Sequence, residues 1–309
     1  MSAPKSKILV IKLSALGDFI QALGPMVAIR KHHKDAHITL LTTKMFEKFA
    51  RQCGYFDDVI LDIRPKLFDF KGWLKLSNLL NDPGFTRVYD LQNNDRTALY
   101  LRLFRRALKP EWVGAAPGAS HRNVSPERTA GHAFDGHVQT LSLAGIKSVE
   151  VDRLEWMQGD VSGFALQTPF ALLVPGCAPD RPEKRWPAKG FGALANMLYA
   201  KGVQPVLLGT NDEADAIDQI KSICPDALDL MGQTDFYQLV TLGREADMAI
   251  GNDTGPMHMI GATGTQSLVL FSQYSDPVRH APKGANVSVV QVDELLDLKP
   301  EDVLGQLKF

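Results

Sequence analysis

Continuous apolar runs punctuate the chain, and each is followed by a polar turn and then by a stretch of helical spacing. Residues 8–11, 37–41, 58–61 and 87–91 are such runs in the front half, and 170–174, 204–208, 227–230, 248–250 and 267–271 repeat the pattern in the back half. Runs without polar alternation, rich in Ile, Leu and Val, suit strands of a parallel sheet covered on both faces. Between them, positions such as Ile20, Leu23, Val27 and Ala28 recur at helical spacing, predicting helices over 19–32, 45–53, 132–144, 186–201, 213–222 and 236–245. Strand and helix in alternation predict βαβ units. Two successive sets predict an α/β protein of two doubly wound, Rossmann-like domains facing across a ligand cleft. The domains are expected at 1–165 and 166–309, joined by a connector over 149–168, with the last helix able to pack back on the first domain. Residues 114–131, rich in Gly, Ala, Pro, Ser and Arg, read as a mobile loop.

Composition narrows the function without naming it. At 309 residues the chain can bury a large core, and 45% hydrophobic with 22% charged residues is the balance of an ordinary soluble protein. A net charge of -1 argues against nucleic-acid binding, which needs a strongly positive face. Cys53, Cys177 and Cys224 lack metal-ligand spacing and read as reduced thiols in a cytoplasmic protein. The basic start, Met1 to Lys7, superficially resembles a signal peptide, but Lys12 and Asp18 interrupt the apolar run that follows, so a first strand is expected instead. No apolar run reaches the length of about 18 residues needed to span a bilayer, which leaves peripheral contact as the only membrane association expected. The eight histidines include no His-Glu-x-x-His and no convincing ligand triad.

Four loops carry candidate chemistry. In Gly251-Asn252-Asp253-Thr254-Gly255-Pro256-Met257-His258 a strand ends in a polar turn and a helix begins near Pro256. The amides around Thr254, Gly255 and Met257 are expected to be unpaired, and a helix N-terminus of this kind favours an anion. The plainer alternative is an N-cap at Asp253 or Thr254, and His258 reads as a packed histidine. Residues 12–18 read as a loop in which Gly17 and Ser14 let a phosphate approach the backbone. Asp18 stands there as a general base, or more plainly as a helix cap. The loop over 175–187 places Lys184 to neutralise a diphosphate, with a solvated charge run as the bland reading. Glu213, after the strand at 204–208, can accept from ribose hydroxyls or simply begin a helix. Neither a Walker pattern nor a three-glycine dinucleotide fingerprint is present.

Taken together, the strand and Ser14-Ala15-Leu16-Gly17-Asp18, the stretch Glu183-Lys184-Arg185-Trp186-Pro187, and Asp253-Thr254-Gly255-Pro256-Met257-His258 resemble glycosyltransferase family 9, the ADP-heptose:lipopolysaccharide heptosyltransferases. The likeness runs over nearly the whole chain with the motifs in order. It implies a GT-B architecture and an inverting, metal-independent sugar transfer with no cofactor. Asp18 matches the proposed base and Lys184 the lysine that stabilises the departing diphosphate. Thr254 and Gly255 match the phosphate-binding turn, which includes Pro256 and His258, with Asp253 beside the sugar. Glu213 falls at the ribose and Thr234 at the adenine. Arg64, Lys66, Gln92, Arg96 and Arg122 lie where an anionic acceptor would be held. The implied partners are an ADP-heptose donor and a glycolipid acceptor, for a cytoplasmic protein working at the inner face of the inner membrane. Cys177-Ala178 departs from the family's hydroxyl-rich phosphate loop. A sugar-nucleotide epimerase and a catalytically silent nucleotide-sugar binder are the competing readings.

Overall fold

The computed structural model describes residues 6–178 and 180–309. Residues 1–5, weighed above as a leader, and Pro179 of the 175–187 loop lie outside the described residues. The chain divides into two compact units, Met1–Asp152 and Arg153–Phe309.

In the first unit β1 (Lys7–Ile11), β2 (His37–Thr42), β3 (Asp58–Leu61), β4 (Arg87–Asp90), β5 (Glu111–Gly114) and β6 (His121–Arg122) form one sheet, ordered β3-β2-β1-β4-β5-β6. Every pairing is parallel, with Leu9 opposite Thr39 on one side and Val88 on the other. The connections carry α1 (Leu16–His32), α2 (Glu47–Gln52), α3 (Phe70–Asn81), α4 (Asp95–Leu101), α5 (Glu127–Ala130) and α6 (Ala133–Ser142). Crossovers of this kind cover both faces of a sheet, which is why Ile8 to Ile11 need no polar alternation and are all buried. Leu9 and Ile11 pack there with Leu76, Leu80, Tyr100 and Trp112.

The second unit contains β7 (Phe170–Val174), β8 (Gln204–Leu207), β9 (Leu228–Asp229), β10 (Met248–Asn252), β11 (Gln266–Phe271) and β12 (Val287–Gln291), ordered β12-β11-β10-β7-β8-β9 and again all parallel. Counted from its own first strand this is the order of the first unit, 3-2-1-4-5-6, so each unit is a complete doubly wound sheet. Its helices are α7 (Ala188–Ala200), α8 (Ala214–Ile223), α9 (Phe236–Glu245), α10 (Gly255–Thr263), α11 (Pro277–His280) and α12 (Pro300–Leu304).

The structure corrects several expectations. The second unit begins at Arg153 rather than 166, because the connector is tied to α9 and α10. Arg153 donates to Thr263 O, Arg244 to the carbonyls of Leu154 and Met157, and the Gly159 amide to the Thr241 hydroxyl. The last helix belongs to the second unit, where Val303 and Leu307 complete the core built on Phe191, Leu194 and Leu198. The 114–131 stretch, expected as a mobile loop, holds β6 and α5, anchored by buried Asn123, whose amide nitrogen donates to Gln139 and Thr140. Finally, α1 starts at Leu16, so Gly17 and Asp18 are helical residues, not loop.

Candidate functional site

In a doubly wound sheet the ligand crevice opens at the carboxyl ends of the strands where the order reverses. That point lies between β1 and β4 in the first unit and between β7 and β10 in the second. The motif residues gather at these two places.

In the first unit, β1 runs out into Lys12, which is buried and donates from Nζ to Leu91 O at 3.3 Å. The Gln92 side-chain oxygen accepts the amides of Leu13 and Ser14 at 2.9 and 3.2 Å, fixing the approach to α1. Asp18 then falls in the first helical turn, exposed, where an anion is favoured by the helix dipole. Its Oδ2 accepts the Ala15 amide at 3.4 Å, so it is not the N-cap but the third helical residue reaching back. Below it, burial lowers the Lys12 pKa while Asp18 and Asp90 raise it. Burial pushes Asp90 up to about 6, opposed by the Asn93 and Gln92 amides and by Lys12.

The residues expected at the acceptor separate into three groups. Gln92 is spent on the β1–α1 loop. Arg96 donates to the Tyr100 hydroxyl at 3.4 Å, and that hydroxyl donates to Asp62 at 2.7 Å, whose other oxygen takes the Arg64 amide at 2.9 Å. Lys66 follows, exposed, its carbonyl held by the Trp73 indole N–H at 2.9 Å. Arg122 is not brought to this group. It lies on β6 and bonds Ala115 O at 3.3 Å, whereas Arg64 and Lys66 follow β3 at the opposite edge. Five strand spacings separate those edges, about 24 Å.

In the second unit, Lys184 ends the short turn Pro182–Lys184 and reaches Asp253 Oδ2 and Ser275 Oγ, both at 3.0 Å. Ser275 donates to the same Asp253 oxygen at 2.6 Å, closing a triangle of cation, carboxylate and hydroxyl. Buried Asn252 locks the surroundings, accepting the Trp186 amide at 2.9 Å and donating to Pro175 O at 2.7 Å. Trp186 packs edge-on against Phe191 and bonds Leu298 O, which makes it a hydrophobic entry to α7. Thr254 is the N-cap of α10 without a side-chain cap bond. The Met257 amide, expected to be free, donates to Thr254 O at 3.1 Å, because the first turn tightens behind Pro256. That leaves the amides of Thr254 and Gly255 with no acceptor among the described residues. Pro256 is half-buried at the start of α10, and His258 is buried within it.

Glu213 closes a capping box with Thr210, its Oε2 accepting the Thr210 amide and hydroxyl at 2.8 Å. Its carboxylate also lies over Gly176, where a Cβ would meet it at 3.0 Å. Glu213 thus starts the helix, and a side chain at 176 would press on its carboxylate. Thr234 is half-buried just before the α9 cap Asp235. The Cys177 thiol donates to Asp253 O at 3.7 Å, and burial raises its pKa.

Three residues escaped the sequence reading. Lys12 was visible as a lysine directly following an apolar strand, and Ser275 as a hydroxyl just beyond the carboxyl end of β11, where such folds collect ligand contacts. Asn252 gave no signal beyond its place at a strand end. Among the described residues no three His, Cys, Asp or Glu side chains are grouped to hold a metal ion, and no helix is long and apolar enough to cross a membrane.

Residues 73–306 match the family model glycosyltransferase family 9 (heptosyltransferase). The chain is 25% identical over 304 residues to the lipopolysaccharide core heptosyltransferase OpsX of Haemophilus influenzae, covering 94% of this chain and 86% of that one. Among solved structures, a glycosyltransferase of family 9 from Veillonella parvula superposes with a TM-score of 0.83 at 21% identity, over 99% of this chain and 97% of that one. The Escherichia coli heptosyltransferase WaaC with ADP-2-deoxy-2-fluoro heptose gives 0.75 at 16% identity, over 97% and 98%. These neighbours make the fold GT-B.

Proposed function

The chain belongs to glycosyltransferase family 9, and from that premise we propose that this glycosyltransferase moves a heptose from ADP-heptose to a lipopolysaccharide core acceptor. The names of its relatives and the ADP-sugar bound to one structural neighbour support the donor and the acceptor class. The reaction we propose is one inverting displacement without a metal. An acceptor hydroxyl attacks the anomeric carbon, its proton passes to Asp18, and the bond from that carbon to the diphosphate oxygen breaks. A single displacement inverts the carbon. The negative charge left on ADP is met by Lys184 and by the amides of Thr254 and Gly255, groups already oriented before the reaction. In the free chain Asp253 and Ser275 hold the Lys184 ammonium at the mouth of α10. With donor bound, Asp253 lies beside the sugar and Glu213 turns from its cap to the ribose, with Thr234 at the adenine. Arg64, Lys66 and Arg96 hold the anionic acceptor, which is borne by the cytoplasmic face of the inner membrane.

The observation carrying this reading is the exposed carboxylate of Asp18 at a switch-point helix start whose preceding amides, those of Leu13 and Ser14, are held by Gln92. Asn at this position can still accept the Ala15 amide but offers no carboxylate to take a proton. Asp18→Asn is therefore expected to lower the transfer rate by about 10³-fold, within the range for loss of a general base. The thermal shift caused by ADP should be unchanged. Transfer within threefold of wild type in the variant would remove Asp18 from the chemistry.

A further inference from the structure

The least conventional surface of the first unit is the segment from Ile63 to Lys75, which leaves the carboxyl end of β3 and becomes the first turns of α3. Soluble proteins scatter exposed apolar residues singly. Here Leu67, Phe68, Phe70 and Leu74 are 73, 80, 78 and 64% exposed within eight residues, and Ile63 adjoins them. Phe70 and Leu74 are one helical turn apart on the outer face of α3, while Leu76 and Leu80 bury the inner face. Cations interleave with them: Arg64, Lys66, Lys71 and Lys75 against Asp69 alone, a local balance of +3 in a chain whose net charge is -1.

The ridge is built rather than loose. Asp69 caps α3 by accepting the Gly72 amide at 2.9 Å, a contact that a Cβ at position 72 would obstruct at 2.3 Å. The Trp73 indole donates to Lys66 O, the Asp69 amide donates to the same carbonyl, and the Trp73 ring meets Tyr100 edge-on. The fold thus fixes large apolar side chains outward. Because the sheet is parallel, they project from the same sheet end as the helix start bearing Asp18.

We propose that this ridge docks the protein on the surface of an anionic phospholipid bilayer, the apolar side chains entering the interface and Lys71 and Lys75 meeting lipid phosphates. Bulky apolar residues beside lysines on a fixed helix face are what interfacial binding requires. A second copy of this chain fits less well, since a two-fold contact through this face would set +3 against +3. The inference shares with the transferase reading a membrane-borne acceptor. Vesicle binding needs neither donor nor acceptor, so either can fail while the other stands.

The test is sedimentation of the full chain with vesicles of mixed phosphatidylethanolamine and phosphatidylglycerol, with phosphatidylcholine as the neutral control. Wild type should bind the anionic vesicles and release at high salt. The triple variant L67S/F68S/F70S and the charge variant K71E/K75E should each lose at least tenfold in partitioning while melting as wild type does. Phe68→Trp, which keeps the ridge intact, should add emission that brominated lipid quenches. No binding by wild type, equal binding by the variants, or equal binding to neutral vesicles would overturn the proposal. So would added emission in Phe68→Trp that brominated lipid leaves unquenched, or self-association of wild type that the variants lose.

Discussion

The two units share one strand order yet present opposite charges at their switch points. In the first, a buried cation, Lys12, lies beneath an exposed carboxylate, Asp18. In the second, the carboxylate of Asp253, its side chain 11% exposed, holds a cation, Lys184, at the start of a helix. The frame itself is indifferent to this choice. Both units offer a helix N-terminus at the end of a central strand, and the side chains set around it decide whether the site takes a proton or stabilises an anion. A doubly wound sheet thus supplies position, and chemistry follows from a few residues.

The sharpest way to break this contrast is to remove the second unit's cation. Lys184→Ala should lower kcat/KM by about 10²- to 10³-fold, the usual cost of one oriented group facing developing negative charge. It should also abolish most of the thermal shift given by ADP, because Asp253 then faces the diphosphate uncompensated. Equal ADP shifts in wild type and variant would mean that the cation serves only the free fold.

A smaller effect tests the first unit's loop. Gln92→Leu strands two amides, those of Leu13 and Ser14, at a cost of about 1 to 3 kcal/mol. If Gln92 positions Asp18, the variant should lose kcat about tenfold or more with KM for acceptor nearly constant, and Gln92→Glu, which keeps an acceptor there, should recover much of it. A rise in KM alone would return Gln92 to the acceptor contacts expected from sequence.

The smallest effect is the first unit's response to pH. Burial holds His33 down to about 4 and His137 to about 3, so both enter the folded first unit neutral. Their contribution is complete above the unfolded histidine value and is lost as pH falls toward those depressed values. Asp90 works the other way: raised to about 6, it costs stability at neutral pH, a cost relieved on acidification. Two histidines outweigh one carboxylate, so the first unit loses net stability as pH falls from the unfolded histidine value toward 5. Cys177 and Cys224 of the second unit, pushed up by burial, stay uncharged throughout that range. Hydrogen exchange in the first unit should therefore speed up between pH 6.5 and 5, and first-unit protection unchanged over that range would contradict it.

Local pattern determined a good deal on its own. The alternation of apolar runs and helical spacing specified the α/β class, because burial on both faces of a parallel sheet is written into each strand separately. The motifs around Asp18, Lys184 and Asp253 were legible for a similar reason, as each is one contiguous segment whose backbone geometry is set by neighbouring residues. Only the tertiary structure decided what those residues face. Lys12 and Leu91 are 79 positions apart, and Lys184 and Ser275 are 91 apart. Strand order brings such partners together, and a chain read in sequence carries no local signature of that order. The same limit explains Arg122, grouped through the family resemblance with Arg64 and Lys66 and set by the sheet at its opposite edge. Hydrophobic period is a property of a segment, whereas the pairing of polar groups is a property of the assembled sheet.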